Sequence, residues 1–77
     1  MDIRLPIYDP ASGRFDTVQL RRALIRRGLD AEAFAFRTQC ARSSVYKALR
    51  GEGVRDKTAI AILRGLAEIP PLLALDD

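Results

Sequence analysis

The chain has 77 residues, 48% hydrophobic and 30% charged, with 13 basic side chains against 10 acidic ones. That length makes one domain with little core to spare, and that balance suits a globular chain rather than a disordered tail. With no histidine and one cysteine, there is no disulfide framework, no metal cluster and no imidazole base.

Residues 1–15 do not read as helix. Pro6 and Pro10 bracket a short extended stretch, and Asp9-Pro10-Ala11-Ser12-Gly13 reads as a turn. An arm is predicted, with room for one short strand, packing on the domain or on a second copy. Asp16 is placed to cap the amides of Val18 or Gln19 and to start a first helix that runs to about Arg27, where Gly28 supplies a left-handed closing residue. Val18, Leu20, Ala23, Leu24 and Ile25 form its apolar stripe. Asp30 caps a second helix over 31–38, with Phe34 and Ala35 inward and Glu32 in the first turn, where a negative charge suits the helix dipole.

Gln39-Cys40-Ala41 is a tight connection to a third helix over 42–49, buried through Val45, Ala48 and Leu49 and ended by Gly51 and Gly53. Asp56 is expected to cap a fourth helix over 57–68 that faces inward with Ile60, Leu63, Leu66 and Ala67. Pro70 and Pro71 stop it, and 71–75 has room for a final turn. The pattern is an all-α, four- to five-helix bundle, divided into an arm (1–15), a helical domain (16–69) and a tail (70–77). No apolar run approaches the ~20 residues of a membrane span, and no signal-peptide core opens the chain, so a cytoplasmic location is expected.

Charge is unevenly placed. Between Leu20 and Arg50 stand eight basic side chains (Arg21, Arg22, Arg26, Arg27, Arg37, Arg42, Lys47 and Arg50) against only Asp30 and Glu32. A basic middle is what phosphate binding uses, although charge alone fits a solvated helical surface equally well.

The order of residues here is more telling. Arg27-Gly28-Leu29-Asp30 closes one helix and caps the next, and Phe34-Ala35 puts a small residue where two short helices touch. Gln39 begins a turn four positions later, followed without a gap by Cys40, Ala41, Arg42-Ser43-Ser44 and the β-branched Val45. Gly51 ends that helix, and Asp56 stands where a cap is usual. Residues 20–66 thus resemble the Cro/phage-repressor (XRE-type) helix-turn-helix family. The resemblance implies a lambda-repressor-like bundle with a short extended N-terminal arm, whose helix 42–49 reads the major groove of double-stranded DNA. Gln39 replaces a glycine common at the turn, which calls for a left-handed or distorted backbone there. Ala31 replaces a phosphate-touching glutamine, so that contact is not carried over. Ala41 is a poor cap that Ser43 or Ser44 compensates only in part.

On this alignment Arg42, Ser43, Tyr46 and Lys47 are the base-reading positions. Arg42 suits a bidentate contact to guanine O6 and N7, and Lys47 a second guanine or a phosphate. Arg37, Thr38, Ser44 and Arg50 are the phosphate-binding positions. Arg21, Arg22, Arg26 and Arg27 read as a soluble helix face, Cys40 as core, and Phe15, Phe34 and Phe36 as core with Phe36 at its edge. Scattered carboxylates and the lack of a phosphate loop argue against an enzyme. No cofactor or small-molecule ligand is expected.

The resemblance implies a transcriptional regulator of the repressor kind that binds an inverted-repeat operator as a homodimer. Apolar residues outside the predicted core offer the dimer contact: Ile62, Ile69, Leu72, Leu73 and Leu75 toward the tail, ahead of Ile3, Leu5 and Ile7 in the arm. The alternative is an antitoxin or adaptor that uses the same bundle to grip a protein.

Overall fold

The computed structural model describes residues 7–72. Tyr8 pairs with Phe15 and Asp9 with Arg14, so β1 (Tyr8–Asp9) and β2 (Arg14–Phe15) form an antiparallel hairpin where an arm was predicted. The architecture is therefore mostly helical with a small two-stranded sheet, rather than all-α. The turn is built by Asp9, whose Oδ1 accepts the Ala11 amide at 3.0 Å and whose carbonyl accepts the Gly13 amide at 2.8 Å. Gly13 itself takes φ 72°, a conformation that a side chain would oppose. The Tyr8 and Phe15 rings lie 4.8 Å apart, and Phe15 is buried in the core. The Gly13 carbonyl accepts the Val54 amide at 2.8 Å, and the Tyr8 hydroxyl lies 3.4 Å from Asp56 Oδ1. Both contacts tie the hairpin to the far half of the chain.

Four helices follow: α1 (Thr17–Arg26), α2 (Ala31–Thr38), α3 (Arg42–Leu49) and α4 (Asp56–Glu68). None among the described residues is long and apolar enough to cross a membrane. Asp16 caps α1 by accepting the Gln19 amide at 3.0 Å, and Asp30 caps α2 by accepting the Ala33 amide at 2.7 Å, both as the sequence predicts. Gly28 follows α1 with φ 68°. Asp56 does not cap α4. It is the helix's first residue, after Arg55, which caps without a side-chain bond, and its charge lies in the first turn.

Each helix contributes to one core. Leu20 and Leu24 come from α1, Phe34 and Ala35 from α2, Val45 and Ala48 from α3, and Ala59, Ile62 and Leu66 from α4, with Phe15 and Ile69 at either end. The predicted inner faces of α1 and α4 need correction. Val18 and Ile25 lie more than ~100° round α1 from the Leu20–Leu24 line, given 3.6 residues per turn, and both are exposed. On α4 the buried side is Ala59, Ile62, Gly65 and Leu66, while Ile60 and Ala67 are exposed.

Volume explains the second shift. A Cβ built on Gly65 would stand 2.4 Å from Thr38 Cγ2 and 3.0 Å from Phe34 Cζ, so α4 turns its smallest residues toward α2 and seats that helix against its backbone. Hydropathy ranks Ile60 above Gly65; packing reverses the order. Ile62 and Ile69, predicted as surplus for a dimer, are core. Ile7 is half-buried against that core and Leu72 is exposed, while Ile3, Leu5, Leu73 and Leu75 lie outside the described residues.

Arg27 is not part of a solvated face. Its guanidinium donates to the carbonyls of Ala23 (2.8 Å), Leu66 (2.9 Å) and Ile69 (2.7 Å), joining the end of α1 to the end of α4. Carbonyls in a last helical turn lack intrahelical donors, and a cation there also meets the negative end of the dipole. The Leu72 amide adds a bond to the Arg26 carbonyl at 2.8 Å, which lays the chain after α4 across the end of α1.

Candidate nucleic-acid interface

The connection between α2 and α3 depends on one strained residue. Gln39 takes φ 58° and ψ 31°, the left-handed conformation required of it, and its amide turns back to the last turn of α2. The Cys40 amide then bonds the Ala35 carbonyl at 3.0 Å, and the half-buried Cys40 packs against the core. Ala41, extended at φ −68° and ψ 135°, precedes α3 without a side-chain cap bond, and neither Ser43 nor Ser44 supplies one.

Buried Val45 and Ala48 fix the rotation of α3. At about 100° per residue, Arg42, Ser43, Tyr46, Lys47 and Arg50 then share an arc of ~140° on the opposite side. All five are exposed, Tyr46 at 40%, while Ser44 is half-buried on the flank. The four predicted base-reading residues therefore lie together on one outward face. Arg37 is exposed near the end of α2. Thr38 beside it is half-buried and donates its hydroxyl to the Phe34 carbonyl at 2.7 Å, so its proton is already committed inside the helix.

Two carboxylates qualify this cationic face. Arg42 Nη1 lies 3.1 Å from Glu32 Oε1 on α2, with the two side chains 68% and 59% exposed. At the other end Arg50 Nε pairs with Glu52 Oε2, and that guanidinium, with a smaller contribution from Lys47, holds the Glu52 carboxyl below its ordinary pKa. Solvent-exposed pairs like these are weak and exchange readily for a phosphate or a base edge. Neither pairing was anticipated. The sequence pattern gives Glu32 only a favourable place at the helix dipole, since positions ten residues apart meet only once α2 and α3 pack.

An open groove of about 660 Å³ runs between α2 and the start of α3, lined by Asp30, Glu32, Ala33, Ala35, Phe36, Arg37, Cys40 and Arg42. Phe36, read as the edge of the core, is 85% exposed there. It falls about 160° round α2 from both Phe34 and the half-buried Thr38, by the same helical geometry. Among the described residues no group of histidine, cysteine and carboxylate side chains is placed to hold a metal ion.

Comparison with known proteins returns no match: no family model, no curated protein and no solved structure aligns with the chain.

Proposed function

We propose that α2, the turn at Gln39 and α3 act as a helix-turn-helix, and that the protein is a sequence-specific double-stranded DNA-binding regulator of the repressor kind. The observation that carries this reading is the outward face of α3, where Arg42, Ser43, Tyr46, Lys47 and Arg50 stand opposite buried Val45 and Ala48. A helix presented in this way fits a major groove about 12 Å wide. Its N-terminal half meets base edges, and Arg37, Ser44 and Arg50 serve the phosphates on either side.

One such module buries little DNA surface, so binding as two copies on an inverted repeat belongs to the same proposal. The test is a gel-shift titration on a pool of random-sequence duplexes at several salt concentrations. Affinity should fall steeply with salt, and Arg50→Ala should weaken binding to every sequence and flatten the log–log slope by about one unit. Salt-independent or absent retention of duplex would defeat the reading. A second reading, an adaptor or antitoxin that grips a protein, draws on exposed Phe36, Val18 and Ile25. It predicts little salt-dependent affinity for duplex, so the same titration separates the two.

A further inference from the structure

We infer that Glu32 is a positioning residue for Arg42, setting which edge of the guanidinium meets the DNA; this rests on the reading of α3 as the base-reading helix. Arg42 is the first residue of α3, where the helix dipole disfavours a cation and where Ala41 offers no side-chain cap. Left alone, such a side chain would swing away through many rotamers, and ordering it would cost entropy on binding. Glu32 lies in the first turn of α2, where the dipole favours its negative charge, and its Oε1 meets Nη1 of Arg42 at 3.1 Å.

The choice of nitrogen matters. A guanidinium carries two pairs of parallel donors, and a carboxylate on Nη1 crowds the Nη1–Nη2 end while leaving the Nε–Nη2 edge free. That edge has the spacing for guanine O6 and N7. Glu32 thus biases Arg42 toward that mode of contact, by the modest margin an exposed pair supplies. It also places a negative charge close to the DNA phosphates, so the arrangement sacrifices affinity for discrimination.

Selection of binding sites from a random duplex pool tests this with wild type, Glu32→Ala, Glu32→Gln and Arg42→Ala, each first checked for an unchanged melting temperature. Wild type should enrich a site containing a guanine that Arg42→Ala no longer prefers. Glu32→Ala should bind the pool several-fold more tightly, yet its preference for that guanine should fall by about three- to tenfold. Glu32→Gln should also bind more tightly but keep most of the preference, because its amide oxygen still accepts from Nη1. A Glu32→Ala site with the wild-type guanine preference would overturn the positioning role and leave DNA reading intact. If wild type enriches no site at all, the reading of α3 fails and the role of Glu32 fails with it.

Discussion

Replacing Arg27 with alanine removes three hydrogen bonds at once, to the carbonyls of Ala23, Leu66 and Ile69. A bond from a charged donor contributes about 1.5–3 kcal/mol when its partner is cut off from water. The three here are not independent, since they share one half-buried guanidinium, and the carbonyls regain water once the side chain is gone. Burial, and to a lesser degree the neighbouring Arg26, pulls the Arg27 pKa below the usual guanidinium range, yet the group stays charged. Discounting for shared geometry and screening leaves a net loss of ~2–3 kcal/mol. In a domain of this size that loss lowers the melting temperature by about 8–20 °C. Arg27→Lys, with a single ammonium in place of the planar fork, should recover less than half of it. Thermal and urea unfolding followed by circular dichroism measure both variants. An Arg27→Ala protein that melts within a degree or two of wild type would refute the view that this side chain clamps α1 to α4.

Gly65→Ala brings a methyl group to 2.4 Å from Thr38 Cγ2, which cannot turn away while the Thr38 hydroxyl is bonded to the Phe34 carbonyl. The gain of about 1 kcal/mol in helix propensity is set against overpacking of ~2–3 kcal/mol for so close an approach, so net destabilisation of ~1–2 kcal/mol is expected in urea unfolding. Adding Thr38→Ser should restore at least half of it, and additive losses would contradict the contact. Gln39→Gly should stabilise by about 0.5–1 kcal/mol, because relief of the left-handed conformation exceeds the entropy glycine loses on folding. A lower urea midpoint would count against strain at the turn. Asp16 accepts the Gln19 amide, which holds its carboxyl below the ordinary 3.8. The cap's contribution is therefore complete above that ordinary value and is lost as pH falls through the lower folded one. Carboxyl titration by nuclear magnetic resonance should show the depressed value, and Asp16→Asn should flatten this part of the acid-unfolding curve.

Much of this architecture was legible where the signal is local. Asp16 and Asp30 are caps because a short carboxylate before an apolar run has one favourable thing to do, and Gly28 closes α1 for a reason internal to its backbone. Gln39 was legible through the resemblance, because it stands where the helix-turn-helix family commonly has glycine and so calls for a left-handed or distorted backbone. What escaped depends on partners far along the chain. Arg27 resembles its neighbours Arg22 and Arg26 in any window, and only the return of α4 makes it a clamp. Ile60 outranks Gly65 on any hydropathy scale, but α2 needs the space that Gly65 leaves. The hairpin was missed because two residues per strand, split by Pro10, carry no periodicity. In the candidate site, the outward set on α3 was legible through the helix-turn-helix resemblance, which puts Val45 inside. The pairing of Glu32 with Arg42 was not, because its reach depends on how α2 and α3 pack.

The hairpin has a consequence for how the protein is made. Its strands leave the ribosome well before Val54 and Asp56, the residues that hold its turn and its tyrosine. A two-stranded ribbon this short has no stability of its own in water. The hairpin therefore gains its tertiary support only once Val54 and Asp56 are available to pack against it.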